Sequence, residues 1–377
     1  MLFIQEFIQN HPDTWEQRLS EAPYALKIKR SPFANGRYVM FNYNMLESDS
    51  YNFIVAEARG LVLDSGDNFK IVRKGFNRFF NYGEGPAAKI DWNTASATIK
   101  EDGTLIFLSH YDGRWIWGTR QNFDVDEAEM SDALYPTFGA LLKDVIAKYY
   151  PKFDVTKALE GDTYCFELCS RFNRIVIDYP EPKLFLLAAF NNVGVFDVPP
   201  GTEYKSHYVD AFADVWEVPR PKYYKMSSVN DYAQLVEGFG IQHEGVVVLD
   251  GKGDRIKMKS KLYFEMHKQV SNGAMDVEAM VGLIRRGEDA EFLSYFPDYA
   301  EKFAKVRKHV QDAFIRIQQI NHACDVGQRN MTRKDFALEH VKDPLAVLWF
   351  KAYDGKLTDD FVEAITDEKF VKMFNIS

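Results

Sequence analysis

Up to about Lys261 the chain reads mainly as short strands with alternating apolar and polar positions, and beyond it as helices with apolar residues three and four apart. A helix from Thr14 to Ala22 and turns at Ser31-Pro32 and Asn35-Gly36 lead into the aromatic strand Arg37 to Tyr43. Glu57 to Asp64 sets Arg59 and Gly60 at the entrance of an apolar strand that turns at Ser65-Gly66, and after Ile71 to Tyr82 the stretch Gly83 to Pro86 interrupts the pattern. In Ile99-Lys100-Glu101-Asp102-Gly103-Thr104-Leu105 a turn dipeptide feeds a strand from Thr104 to Leu108, which predicts Lys100 at a strand end beside a tight turn.

A second hairpin is predicted at Asp112-Gly113, with Arg114 to Arg120 as its outgoing arm. Leu134, Phe138, Leu141, Leu142, Val145 and Ile146 predict a helix over Asp126 to Tyr150, broken at Pro136. Tyr164 to Leu168 returns to alternation, with Glu167 on the face of Cys165 and Cys169, and Asn173 to Val176 and Lys183 to Phe190 continue the sheet. His243 to Lys259 predicts a hairpin whose second arm turns Ile256 and Met258 to the core and Arg255, Lys257 and Lys259 to the other face. Folding back brings Glu244 near Lys259. The later helices carry Phe303, Val306, Val310, Phe314, Ile317 and Ile320 from a start at Pro297-Asp298, then Leu345 to Tyr353 and Asp360 to Phe374.

Composition narrows the class. With 377 residues, 46% of them hydrophobic, the chain can fill the cores of two or three domains. It has no apolar run of membrane-spanning length, and Met1 to Ile8 lacks a basic leader and a cleavage site, so no membrane partner is expected. Three cysteines argue for a reducing compartment and, without a His or Cys cluster, for packing roles at Cys165 and Cys169. A net charge of −9 disfavours general adhesion to nucleic acid, yet Lys252, Arg255, Lys257, Lys259 and Lys261 form one local basic stretch and Lys70, Arg73, Lys74 and Arg78 another. Either stretch alone reads equally as a solvated face.

The chemistry follows from what an amine needs. Lysine attacks phosphorus only when neutral, so cations or desolvation must surround it, and the 255–259 arm supplies cations. Glu244 offers a carboxylate for a metal. Glu167, in so apolar a run, needs a partner, for which Arg174 is a structural candidate. Tyr43 reads as either a core or a site residue, and Glu288-Asp289 as a solvated acidic turn.

Lys100-Glu101-Asp102-Gly103, Phe166-Glu167-Leu168, Glu244-Gly245 and Lys257-Met258-Lys259 resemble, in order and in strand context, the motifs of the covalent nucleotidyltransferases, the polynucleotide ligases and mRNA capping enzymes. Within that superfamily the chain is most similar to the phage RNA ligase 1 type, through Phe41-Asn42-Tyr43-Asn44, Arg59-Gly60, Phe79-Phe80-Asn81, Asn173-Arg174-Ile175-Val176 and a helical tail. The resemblance is strong from Phe41 to Tyr263. Arg78 and Arg120 depart from it, standing where lysine is typical, which keeps the charge and changes the geometry.

The resemblance implies an α+β fold: an antiparallel-sheet nucleotidyltransferase with an N-terminal module (1–90), a core (91–265) and an all-helical C-terminal domain (266–377) without an OB-fold. It implies that Lys100 takes AMP from ATP and passes it to an RNA 5′-phosphate, after which a 3′-hydroxyl displaces AMP and seals the strand. Lys257 and Lys259 would neutralise the α-phosphate, and Glu244 would hold Mg²⁺, with Mn²⁺ able to substitute. Arg59 and Glu167 would grip the ribose or phosphates. Tyr43, Arg78, Arg120 and Tyr263 would reach the phosphates, with Glu101, Asp102 and Gly103 completing the nucleophile motif around the nucleotide. It further implies single-stranded RNA or nicked tRNA ends as substrate, a polynucleotide kinase/phosphatase as functional partner, a monomer, and the host cytoplasm as the location if the gene is a bacteriophage's. A DNA ligase or capping enzyme would follow the Lys257-Met258-Lys259 strand with five short strands. A non-catalytic nucleotide- or RNA-binding descendant would first lose the nucleophile, the metal carboxylate or the lysines.

Overall fold

Alternation in the sequence becomes three sheets in the computed structural model, which describes all residues except 131, 133, 195–197, 241–242, 261–262, 264–275, 296–298 and 377. Two units emerge, Met1–His267 and Lys268–Ser377. In the first unit, β1 (Leu26–Arg30), β2 (Tyr38–Tyr43), β3 (Arg59–Asp64) and β4 (Lys70–Arg73) form an antiparallel sheet in chain order. One face packs Val39, Phe41, Leu61 and Leu63 against α1 (Phe3–Asn10), α2 (Trp15–Ser20) and α3 (Phe53–Glu57). Helix α1 exists because Ile4 and Ile8, one turn apart, both bury in that core, while Glu57 accepts the Phe3 and Ile4 amides at 3.1 and 3.0 Å.

The other two sheets are built from β5 (Phe80–Asn81), β6 (Ser96–Lys100), β7 (Thr104–Tyr111), β8 (Arg114–Thr119), β9 (Asp162–Cys169), β10 (Lys183–Asn191), β11 (Thr202–Glu203), β12 (Tyr223–Tyr224), β13 (Gly245–Leu249) and β14 (Arg255–Lys259). Their orders are β11-β10-β9-β7-β8 and β12-β6-β13-β14-β5. The Asp102-Gly103 turn therefore closes no hairpin: β6 and β7 belong to different sheets, and the turn carries the chain from one to the other.

Each of these sheets has one face sealed by helices. Tyr164, Phe166, Leu168, Leu184 and Leu186 pack under α4 (Phe138–Tyr149) and α5 (Ser206–Trp216). Ala97, Ile99, Val246, Val248, Ile256 and Met258 pack with Tyr232 and Val236 of α6 (Val229–Glu237). By the two-residue period, Glu167 and Thr98, Lys100, Val247, Arg255, Lys257 and Lys259 take the opposite faces.

Two expected elements are shorter than their patterns. The helix over Asp126 to Tyr150 begins only at Phe138, after Pro136: Glu129 bridges Thr137, and Leu134 stays 66% exposed. Asn173 to Val176 is no strand but a loop after a 3₁₀ turn at Arg171–Asn173, its amides turned to Asp102.

The second unit comprises α7 (Val277–Arg285), α8 (Asp289–Tyr295), α9 (Ala300–Val326), α10 (Arg333–His340), α11 (Ala346–Tyr353), α12 (Asp359–Glu363) and α13 (Asp367–Phe374), and its described residues contain no strand. The long α9 buries Phe303, Val306, Val310, Ala313, Ile317 and Ile320 along one stripe. The helix start expected at Pro297-Asp298 lies outside the described residues, as do Lys261 and the expected boundary at 265. Glu288 and Asp289 are engaged by Arg286 and Arg307, and Asp289 is buried, so the turn expected to be solvated is instead tied into the unit. No described helix is long and apolar enough to cross a membrane.

Candidate active site

The free faces of the two helix-backed sheets bound a cleft of about 720 Å³, lined by Arg59, Phe79, Lys100, Glu101, Arg120 and Glu167 among others. Strand register assembles the ionic group around Lys100, which lines the cleft. Gly245 sits opposite Lys100 on one side and opposite Lys259 on the other, so the residue just before it, Glu244, reaches both amines. Lys100 Nζ lies 2.7 Å from Glu244 Oε2 and Lys259 Nζ 2.8 Å from Oε1. Burial alone would raise the Glu244 pKa, but the two ammonium groups outweigh it and bring it to about 2. Glu244 is thus an anion held in the interior by two cations.

Glu167 has the opposite balance. Burial pushes it up to about 8, Lys100 pulling it down only in part and Glu244 adding to the rise. At neutral pH it is a carboxylic acid beside the Lys100–Glu244 pair. Arg174, its structural candidate partner, instead donates to the Val176 carbonyl at 3.0 Å.

A second cluster gathers around Tyr43. The Arg78 guanidinium lies over the Tyr43 ring at 4.3 Å and over Phe80 at 4.8 Å, and Arg120 Nη1 donates to the Tyr43 hydroxyl at 3.1 Å. Burial would raise the Tyr43 pKa, yet Arg120, Arg59, Arg78 and Lys257 together lower it. Arg59 Nη1 and Arg78 Nη1 are buried without a hydrogen-bond partner, and burial lowers the pKa of both groups. Phe79, which bears no charge and stood out in the sequence only as part of a motif, is the shared ring of Arg59, Lys257 and Arg255 at 5.5, 5.7 and 5.8 Å. Arg255 also lines the cleft, with its guanidinium fixed by Glu203 at 2.8 and 3.0 Å.

Of the expected set, Arg59, Lys100, Glu101, Gly103, Arg120 and Glu167 line the cleft, whereas Tyr43, Arg78, Asp102, Glu244, Lys257, Lys259 and Tyr263 stand behind or beside that lining. Asp102 is 2% exposed and has both oxygens engaged: Oδ1 accepts from Tyr263 at 3.0 Å, and Oδ2 from the Val176 and Ile177 amides at 2.9 and 2.7 Å. Asp102 and Tyr263 are therefore corrected from nucleotide contacts to a buried bond that pins the 173–177 loop and underlies Lys259, whose Nζ is 5.5 Å from the Tyr263 ring. Gly103 lines the cleft, but its lack of a side chain answers packing, since a Cβ there would stand 2.4 Å from the Leu168 carbonyl oxygen. Glu101 lines the cleft and accepts from Tyr179 at 3.1 Å. Thr98, Val247 and Glu127 are further lining residues that no motif in the sequence marks.

Comparison with known proteins bears on the family of this chain. A family model described as RNA ligase, of the phage RNA ligase 1 type, matches residues 57–269. The chain is 28% identical, over 72% of its own length and 39% of the relative's, to a protein of Autographa californica nuclear polyhedrosis virus named as a bifunctional polynucleotide kinase/RNA ligase. It is 22% identical to an RNA ligase of Rhodothermus phage RM378, over 56% of this chain and 59% of that one. The chain thus spans less than two thirds of either curated relative. Among solved structures, an archaeal ATP-dependent RNA ligase aligns with a TM-score of 0.48 at 14% identity, covering 85% of this chain and 83% of that one. With more than half of its residues matched by the family model, the chain belongs to the RNA ligase family.

Proposed function

We propose that the protein is an ATP-dependent RNA ligase that joins a 3′-hydroxyl to a 5′-phosphate through a lysyl-AMP. The observation that carries this reading is the meeting of Lys100, Glu244 and Lys259 on three adjacent strands at a cleft whose other end gathers guanidinium groups. Lys100 Nζ, its proton lost to solvent, forms a bond to the α-phosphorus of ATP as the bond to pyrophosphate breaks, and a second proton leaves to solvent to give the phosphoramidate. An oxygen of the RNA 5′-phosphate then attacks that α-phosphorus, the P–N bond breaks, and Nζ takes a proton from solvent as it leaves. Last, the 3′-hydroxyl attacks that 5′-phosphorus, AMP leaves, and the hydroxyl proton is lost to solvent.

Lys257 and Lys259 neutralise charge building on the α-phosphate in this scheme, while Arg59, Arg78, Arg120 and Tyr43 bind the outer phosphates. Glu167, protonated, donates a hydrogen bond to the nucleotide. Mg²⁺ and Mn²⁺ commonly bind one or two carboxylates together with substrate oxygens and waters, and Glu244, an ionised carboxylate beside Lys100, is the carboxylate this site offers. Glu244 would hold the cation, and the bound cation would supply charge stabilisation to the phosphates.

RNA ends from a broken tRNA or other strand, a separate kinase/phosphatase that prepares them, a monomeric state and action in the host cytoplasm complete the proposal. Modules at 1–90, 91–265 and 266–377 are its working division. The described residues of the second unit, which contain no strand, favour this reading over a DNA ligase or capping enzyme with an OB-fold.

The test is incubation with α-labelled ATP and Mg²⁺, then with 5′-phosphorylated single-stranded RNA, for the native chain and Lys100→Ala. A denaturation-stable adduct and circular or joined RNA from the native chain alone are expected. No adduct on protein first stripped with pyrophosphate would leave a nucleotide- or RNA-binding protein in place of a ligase.

A further inference from the structure

Two polar side chains outside the nucleotide-contacting set meet at Gly60. Phe41 pairs with Leu61 and Asn42 with Arg59, which leaves Gly60 unmatched as the extra residue of a β-bulge, at φ +73°. Its peptide groups leave the ladder and take side-chain partners instead. The Gly60 amide donates to Asn42 Oδ1 at 2.9 Å, and its carbonyl accepts from Arg73 Nε at 3.1 Å. Each of those side chains has a second end, and both ends reach the turn after β8. Asn42 Nδ2 donates to the Arg120 carbonyl at 2.9 Å, and Arg73 Nη1 to the Asn122 carbonyl at 3.2 Å.

The two backbone segments are in contact there: a Cβ on Gly60 would stand 3.1 Å from both the Cα and the carbonyl oxygen of Arg120. Arg73 is only 1% exposed and lies over the Phe107 ring at 5.2 Å, so its fork cannot swing away. The segments it joins carry Arg59 and Arg120, two like charges at one cleft. Burial disfavours the Arg59 cation first, and the Arg120 charge disfavours it further. Tyr43, which accepts from Arg120 and favours the Arg59 cation, is the side chain that draws the two guanidiniums together, and the backbone contacts at Gly60 add a second tie.

We infer that Asn42 and Arg73 are positioning residues, a clamp of four hydrogen bonds on the Gly60 bulge that sets Arg59 and Arg120 at one separation so that both meet the phosphates of a single nucleotide. The inference rests on the nucleotide-binding part of the proposed function and deepens it.

Calorimetric titration with ATP of the native chain, Asn42→Ala, Arg120→Ala and the double variant tests it, with melting curves taken alongside. Asn42→Ala is expected to weaken ATP binding by roughly tenfold to a hundredfold, since small misplacements of binding groups cost that much. The double variant is expected to lose less affinity than the two single losses combined, because the share of the clamp that acts through Arg120 is lost once while the share that acts through Arg59 remains. Arg73→Lys keeps the buried cation but cannot span two carbonyls, and it carries the same expected loss should Asn42→Ala fail to fold. Unchanged ATP affinity in the single variants with only a lowered melting temperature, or fully additive losses in the double one, would overturn the clamp. Binding is read here without turnover, so ATP binding by a native chain that forms no Lys100 adduct would sink the ligase reading and leave the clamp standing.

Discussion

At the Lys100 end of the cleft the charges are paired, one carboxylate between two amines, with Glu244 joined to Lys100 at 2.7 Å and to Lys259 at 2.8 Å. At the Tyr43 end the guanidiniums of Arg59 and Arg78 lean on aromatic rings and each keeps a buried Nη1 without a hydrogen-bond partner. The first arrangement is complete as it stands. The second holds donors whose desolvation is unrecovered, which is the state of a site shaped for an anion. An ion-paired reaction centre thus differs from a receptor for phosphates, and the difference predicts opposite outcomes for mutation at the two ends.

The largest effect belongs to Glu244→Ala. It takes from the partly exposed ammonium groups of Lys100 and Lys259 their shared anion, so about 2–3 kcal/mol of stability should be lost in denaturant titration, and adduct formation per folded molecule should fall at least about a hundredfold. Retained stability would mean the paired end is not held by its pairing. Next is the pH dependence. Because the folded pKa of Glu167 is raised to about 8, its contribution is fully present below its ordinary value of 4.5 and is lost as pH rises towards 8. Glu244, lowered to about 2, behaves inversely and loses its contribution as pH falls from 4.5 towards 2. Glu167→Gln should therefore gain roughly 2–4 kcal/mol on the native chain between pH 5 and 9 in paired urea titrations. A constant difference across that range would remove the neutral carboxyl from the account.

Arg78→Met inverts the pattern of Glu244→Ala. Melting temperature should stay level or rise, while the Kd for ATP rises by roughly tenfold, about 1.4 kcal/mol. A clear loss of stability would show that Arg78 serves the sheet rather than a phosphate. The smallest expected effect is at Asp102→Asn, which weakens one of the accepting oxygens under the 173–177 loop: about 1–2 kcal/mol of stability, with ATP affinity unchanged in the same titration.

The paired end was legible in the sequence because strand alternation and one hairpin suffice to bring Glu244 to Lys259 and to turn Lys257 and Lys259 to one face. What the local pattern could not carry was pairing between distant strands. Asp102-Gly103 has the chemistry of a hairpin turn, yet Thr104 pairs with Leu168 rather than with the strand before it. Asp102 and Tyr263 sit 161 positions apart and meet in the interior, a contact that motif position disguised as nucleotide binding. Helical spacing over Asp126 to Phe138 lost to Pro136 and to the Glu129–Thr137 bridge. The Tyr43 end was legible only as a list of arginines. Its organisation depends on Phe79 and Phe80 as rings between cations and on a one-residue bulge at Gly60, neither of which leaves a periodic trace.

The central claim is that Lys100, among three lysines crowded at one cleft, is the nucleophile. Native protein should be treated with ATP and a divalent cation, digested, and the AMP-bearing peptide located by mass spectrometry. The account predicts the AMP mass on Lys100 alone, with Lys257 and Lys259 unmodified. An adduct on Lys257 or Lys259, or one that survives Lys100→Ala, would contradict it.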